Sequence, residues 1–101
     1  MAKRRRRRVR LGASAAEHAR ELPTVLTEID DRVKQAKQLL ANGLCRQATD
    51  HWATAENLKG MALIHAKGGK HGEVLNRRKV NTFLELARLR LKVLETCTRD
   101  D

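Results

Sequence analysis

Residues 22–43, LPTVLTEIDDRVKQAKQLLANG, carry the pattern that decides the fold. Their apolar side chains recur at steps of three and four residues, which traces a single stripe along an α-helix. The stripe consists of Leu22, Val25, Leu26, Ile29, Val33, Ala36, Leu39 and Leu40. The pair Asn42-Gly43 is typical of a helix end, since glycine readily adopts the left-handed conformation found there. The stretch therefore predicts an amphipathic helix over residues 22–42.

The same spacing recurs after Gly43 and predicts a second helix over residues 44–66. Its stripe consists of Leu44, Ala48, Trp52, Ala55, Leu58 and Ala62. We expect this helix to continue through Gly60, at a cost of about 1 kcal/mol relative to Ala. The apolar run MALIHA, residues 61–66, is expected to be buried. Residues 67–72, KGGKHG, predict a loop, because three glycines in so short a stretch disfavour a helix.

A third helix is predicted over residues 73–97, and it carries two neighbouring apolar stripes. The first stripe consists of Val80, Phe83, Leu84, Ala87, Leu91 and Leu94. The second consists of Leu86, Leu89, Val93 and Cys97. So wide an apolar surface indicates two neighbours. Either both neighbours are helices of the same bundle, or one of them belongs to a second copy of the chain.

The segment before residue 22 predicts a short leading helix. Ser14 and Glu17 have the spacing of a capping box, so residues 15–21 are expected to be helical. Pro23 then ends this helix or starts the next one. The fold class expected is all-α: a small antiparallel bundle of three long helices plus the short one, since short connections make neighbours antiparallel. Residues 13–101 are expected to form this single helical domain.

Residues 1–12, MAKRRRRRVRLG, predict a flexible arginine-rich arm. The chain has 22 Lys and Arg against 12 Asp and Glu, a net charge of +10, and seven of the cations fall in the first ten residues. These are Lys3, Arg4, Arg5, Arg6, Arg7, Arg8 and Arg10. Consecutive arginines repel one another and offer no apolar face to fold around. Guanidinium groups bind phosphate oxygens bidentately, so the arm favours a sequence-independent contact with a nucleic-acid backbone.

A second basic segment surrounds the predicted loop. Its candidate phosphate-binding residues are Lys67, Lys70, Arg77, Arg78 and Lys79. The amino end of a helix favours an anion, which supports a second phosphate contact there. A solvated loop beside an exposed helix start explains the same residues equally well. Arg88, Lys92 and Arg99 extend the basic stripe or form the solvated face of the last helix.

The arm also fits other roles. A nuclear-localisation-type address has this composition. An organellar presequence is usually amphipathic and serine-rich, which this block is not. Anionic lipid attracts basic residues, and a charged tail also aids solubility. No apolar run reaches the length of a membrane span.

The sequence does not favour catalysis, a cofactor or a metal site. Cys45 and Cys97 are able in principle to meet His51 or His65 around a metal, but packing in the core is the favoured interpretation of both cysteines. The four histidines are His18, His51, His65 and His71, and no two have the spacing that places two ligands on one helix face. No nucleophile lies beside an evident base. Cys45 and Cys97 are expected to be free, partly buried thiols in a reducing compartment, because no secretory signal precedes them, and a disulfide between them is the less favoured alternative. Trp52 falls in an apolar stripe, so core packing is expected rather than base stacking.

These observations predict a non-enzymatic protein that binds DNA or RNA, or is associated with a genome, through its arm. The alternative is a helical subunit of a larger assembly, such as a virion, an inhibitor complex or a ribosome-linked particle. In that case the helices bind a protein, and the arm docks on an acidic surface. A protein partner or a homo-oligomer is expected through the last helix. The expected location is intracellular (cytoplasm, nucleoid or nucleus) or inside a virion.

Overall fold

Three α-helices make up nearly all of the chain that the computed structural model describes, residues 14–97. Helix α1 comprises Ala15–Ala41, α2 comprises Cys45–Gly68 and α3 comprises Glu73–Cys97. No strand occurs within these residues, which confirms the all-helical class. None of the three helices is both long and apolar enough to cross a membrane. The predicted arm, residues 1–12, lies outside the described residues.

Helix α1 continues through Pro23, so the prediction of a separate short helix over residues 15–21 is wrong. Proline has no N–H and therefore cannot donate the helical hydrogen bond to the carbonyl one turn back. Leu22 and Leu26, on either side of the proline, are fully buried. Thr27 Oγ1 donates a hydrogen bond of 3.0 Å to the Pro23 carbonyl. Burial of this face outweighs the loss of one backbone hydrogen bond.

Both ends of α1 are capped as predicted. The backbone N–H of Glu17 donates to Ser14 Oγ at 3.1 Å, and the Ser14 N–H donates to Glu17 Oε1 at 2.9 Å. The hydrogen bond from the Ser14 backbone holds the pKa of the Glu17 carboxyl below its usual value. At the other end, Gly43 has φ 75°, and the Leu44 N–H donates to the Leu39 carbonyl at 2.9 Å. This is the Schellman geometry, which turns the chain directly into α2.

The core lies along α1, and its predicted stripe is confirmed. The buried residues of α1 are Leu22, Val25, Leu26, Ile29, Val33 and Ala36. Helix α2 buries three alanines, Ala48, Ala55 and Ala62, and it packs more extensively on α1 than α3 packs on either helix. Because alanine is small and the three recur every seven residues, α2 can approach α1 closely along its length.

The outer surface of α2 is more apolar than the sequence pattern predicted. The helix continues through Gly60, as expected, but Met61, Leu63 and Ile64 are largely exposed. Successive residues of a helix point about 100° apart, so only one residue of this short run can face α1 squarely. That residue is Ala62, which is fully buried.

Only one of the two stripes predicted on α3 is buried. Leu86, Leu89 and Val93, all from the second stripe, contribute to the core together with Thr82. Most of the first stripe faces outward, although Phe83 packs partly against the core. Within the described residues, α3 therefore has neighbours on one side only.

Cys45 and Cys97 form a disulfide, so the prediction that both thiols are free is wrong. The first residue of α2 lies beside the last residue of α3, and their Cα atoms are 5.5 Å apart. That separation falls within the range that a disulfide requires. The pair is 52 residues apart in sequence, and only the packing of α2 and α3 brings it together.

Candidate nucleic-acid interface

The predicted phosphate-binding residues fall into two groups. The arm cations lie outside the described residues: Lys3, Arg4, Arg5, Arg6, Arg7, Arg8 and Arg10. The other five lie around the α2–α3 connection, with Lys67 in the last turn of α2, Lys70 in the loop, and three in the first half of α3: Arg77, Arg78 and Lys79. The structure therefore brings the second group together at one end of the helices.

The loop between α2 and α3 lies against the first turns of α1. A Cβ atom added to Gly69 would lie 2.6 Å from the Ala15 carbonyl oxygen and 2.8 Å from the Ala19 backbone nitrogen. Such distances mean that the loop backbone touches the α1 backbone. Ser14, from which the chain leads back to the arm, is the cap of this same end of α1. The point where the arm joins the helices is thus close to Lys70.

A pair of histidines fastens α1 to α2 at this end. His18 Nδ1 and His65 Nδ1 are 3.0 Å apart, and the ring centroids are 5.2 Å apart. One imidazole donates its Nδ1–H and the other accepts through the lone pair of its Nδ1 atom. Sequence reasoning missed this contact because the residues are 47 positions apart and share no motif.

The histidine pair does not extend into a metal site. No group of three His, Cys, Asp or Glu side chains between residues 14 and 97 is arranged to hold a metal ion. His71, in the neighbouring loop, has a buried Nδ1 atom with no hydrogen-bond partner. The His18–His65 contact itself joins the amino end of α1 to α2.

Two of the five described cations already have partners within the chain. Arg78 donates a hydrogen bond to Thr27 Oγ1 at 2.7 Å and lies 3.5 Å from Asp30 Oδ2. It thereby ties α3 to α1. Arg77 pairs with Glu73, one turn before it on α3, at 3.3 Å. An exposed pair of this kind contributes little to stability and gives way readily to a phosphate.

The other three cations, Lys67, Lys70 and Lys79, make no ion pair with any residue between 14 and 97. Their ammonium groups are thus available to an external anion. The predicted help from the amino end of α3 is reduced, because Glu73 puts a carboxylate in its first turn. The lysines, rather than the helix dipole, are the candidate phosphate contacts of the described part of the chain.

Trp52 is partly buried against the core, in agreement with its predicted packing role. Its Nε1–H donates to Glu56 Oε2 at 3.0 Å, which fixes the indole ring. The cleft beside it is also lined by Lys59 and Arg90, which the sequence did not single out. The Lys59 ammonium lies 5.4 Å from the centre of the Phe83 ring, within the range of a cation–π contact.

The basic stripe predicted later on α3 is divided by a carboxylate. Arg88 pairs with Glu85 at 2.9 Å, and Lys37 of α1 pairs with the same Glu85 at 3.0 Å. Lys92 borders the groove next to this group, whereas Arg99 lies outside the described residues. Glu85 therefore neutralises part of the stripe and joins α3 to α1.

We expect the Glu85 contacts to make stability fall in acid. The Glu85 carboxyl accepts a hydrogen bond from the Lys37 ammonium, and this contact is the main reason that its pKa lies below the usual value of 4.5. Arg88 lowers the pKa of Glu85 further. A lowered folded-state pKa means that the stabilisation is present above pH 4.5 and is lost as the pH falls below it. Urea unfolding from neutral pH to pH 3 should show the midpoints of wild type and Glu85→Gln converging. The control Glu28→Gln removes a carboxylate without an ion pair in residues 14–97, and should follow wild type throughout.

The arrangement at this end of the helices is suited to binding an anion over a broad surface. Lysines that make no ion pair in residues 14–97 lie close to Ser14, and seven further cations fall within residues 1–10. Comparisons with known proteins add no further assignment. No protein-family model, curated protein or solved structure shows significant similarity to the chain.

Proposed function

We propose that this chain is a non-enzymatic nucleic-acid-binding protein in which an antiparallel helical bundle carries an arginine-rich arm. The observation that carries the proposal is the charge distribution. Seven cations and no acidic residue fall within residues 1–10, in a chain whose net charge is +10. Phosphates along DNA or RNA are the biological polyanion that best matches such a density of guanidinium groups.

The described helices support this proposal through the position of the arm's attachment. Ser14 caps the end of α1 against which the α2–α3 loop packs, and Lys70 belongs to that loop. Lys67 and Lys70 therefore lie near Ser14, the first described residue after the arm. The contact would be indifferent to base sequence, because phosphate oxygens carry no base identity.

The proposal predicts how steeply the affinity for DNA falls as the salt concentration rises. Each phosphate of duplex DNA that is neutralised contributes about −0.9 to the slope of log affinity against log salt. Seven arm contacts therefore predict a slope of about −6 for the arm alone. The three lysines near the loop add at most about −3 more.

The test is duplex binding measured over a range of salt concentrations, for the full chain and for a chain lacking residues 1–10. We expect the truncated chain to bind far more weakly, with a slope smaller in magnitude by about 6. Equal binding by the two chains would overturn the proposal. So would binding by neither chain below about 1 mM, which is weaker than non-specific DNA binding normally is.

A matched pair of triple variants tests the role of the loop lysines. The first variant replaces Lys67, Lys70 and Lys79 with Gln. The control replaces three exposed cations that make no ion pair in residues 14–97 and lie away from the loop: Lys34, Arg46 and Lys92. Both variants lose the same net charge, so a specific contact predicts that only the first reduces the salt slope by about 2 to 3. Equal slopes for the two variants would remove the loop lysines from the proposed interface.

A second candidate function is that of a helical subunit in a larger assembly. The outward-facing apolar side chains of α3 favour it, because exposed apolar patches mark contact surfaces. In this case the helices bind protein and the arm docks on an acidic surface of the partner. A chain that binds no duplex at low salt, yet binds an acidic protein through residues 1–10, would favour this function over the first.

A further inference from the structure

The outward face of α3 carries apolar residues in a regular pattern, which we call the α3 seam. It consists of Val80, Leu84, Ala87 and Leu91. The exposed fractions are 53% for Val80, 47% for Leu84 and 61% for Leu91. The residues follow one another at steps of four, three and four, which is the spacing of a coiled-coil heptad.

The seam points away from the core of its own chain. Leu89 is fully buried and Leu86 is 1% exposed, so they mark the side of α3 that faces the other helices. Leu91 follows Leu89 by two residues, or about 200° around the helix. The bundle therefore cannot cover the seam without a rotation of α3 that would expose its core side.

We propose that the seam pairs with the seam of a second copy of this chain, with the two α3 helices parallel and in register. A heptad seam fits a helix of the same periodicity, since each side chain enters a hole formed by four residues of the facing helix. In a second copy the seam is identical, so each seam residue meets the same residue of the other helix. Because the seam and the core lie on opposite sides of α3, the two bundles lie on opposite sides of the pair and do not collide.

Flanking charges favour the parallel orientation. In a parallel pair, the residue just before Leu91 on one helix faces the residue five positions further along the other helix. That rule sets Arg90 opposite Glu95 of the second copy, twice by symmetry. Both side chains are exposed, and neither makes an ion pair within residues 14–97. In an antiparallel pair that aligns the same four seam residues, Leu91 faces Val80, so Arg90 and Glu95 of the two copies no longer lie opposite one another.

The length of the seam indicates a weak and reversible dimer. Residues 80–91 rise about 17 Å along the helix, and with its flanks this strip would bury roughly 1,000 Å² in total. Interfaces of that size lie at the lower limit for specific association. We therefore expect a dissociation constant in the micromolar range, of the order of 10 μM.

The first experiment is sedimentation equilibrium of the full chain, freed of nucleic acid, from about 1 μM to about 500 μM. The variant Leu91→Gln removes a seam residue, and Ile64→Gln is its control, because Ile64 lies on α2 and is 62% exposed against 61% for Leu91. We expect the dissociation constant to rise about tenfold or more for Leu91→Gln and to stay unchanged for Ile64→Gln. A chain that stays monomeric throughout this range, or a dimer unaffected by Leu91→Gln, would overturn the proposal.

The second experiment tests the orientation. Arg90→Glu and Glu95→Arg each set like charges opposite one another in the parallel pair, and the double variant restores opposite charges. We expect both single variants to dimerise several-fold more weakly than wild type, and the double variant to recover. No change in the single variants, or no recovery in the double, would rule out the parallel register. Because these measurements need no nucleic acid, they stand whether or not the arm binds DNA or RNA.

Discussion

Reduction of the Cys45–Cys97 disulfide is expected to lower the free energy of unfolding by about 4 kcal/mol. The bond joins residues 52 positions apart, so it removes much of the freedom of the unfolded chain. The loss should be felt most in α3, which is the least embedded helix and is fastened at its carboxyl end by this bond. A destabilisation of this size is a large share of the stability of a small domain.

The measurement is urea unfolding with and without a thiol reductant, followed by circular dichroism. The double variant Cys45→Ser, Cys97→Ser serves as the control. It should unfold at a similar midpoint to the reduced wild type and show no response to the reductant. If oxidised and reduced wild type unfold at the same urea concentration, the disulfide does not stabilise the fold.

Substitution of Gly69 by Ala is expected to destabilise the protein by about 2 kcal/mol. The added methyl group would lie 2.6 Å from the Ala15 carbonyl oxygen and 2.8 Å from the Ala19 nitrogen. Both are backbone atoms of α1, so neither can move aside as a flexible side chain would. The loop must shift away from α1, because the methyl group would also lie 3.0 Å from the Cβ atom of His18.

Gly60→Ala is the matched control for this substitution. Gly60 lies inside α2, and a Cβ atom added there meets nothing within 4 Å. Alanine favours the helix over glycine, so this variant is expected to be more stable than wild type by about 1 kcal/mol. The two substitutions should therefore shift the melting temperature in opposite directions, which thermal unfolding measures. A Gly69→Ala variant that melts no lower than wild type would contradict the tight loop contact.

Helix α1 could be predicted almost completely, because several independent signals agree along it. The capping box at Ser14 gives its start, the apolar stripe gives its buried face, and the glycine at residue 43 gives its end. Only Pro23 gave a false signal. Its local preference for a helix end is overridden by the burial of Leu22 and Leu26, which depends on where the other helices lie.

The orientation of α3 could not be predicted, because its two stripes are similarly apolar. Which stripe faces inward depends on the packing against α1, through contacts such as the 3.0 Å hydrogen bond from Thr82 to Asp30. Those contacts bury Leu86 and Leu89 and leave Leu84 and Leu91 outside. The periodicity of one helix specifies a face but does not identify its neighbour.

The candidate interface was predicted from charge alone, and the charge of a residue does not show whether it forms an ion pair within the fold. The sequence treats Lys70 and Arg78 as equivalent cations, yet Arg78 is held by Thr27 and Asp30 while Lys70 has no ion pair in residues 14–97. The His18–His65 contact and the disulfide likewise join residues from distant parts of the chain. No local motif specifies such pairs.

The covalent topology of the chain has a consequence for proteolysis. Residues 45–97 form a closed ring, because the Cys45–Cys97 bond joins the start of α2 to the end of α3. The exposed turn around Lys70 and Gly72 is the natural place for a protease to cut. A single cut there would open the ring without separating the fragments, because the disulfide would hold the two pieces together until a reductant released them.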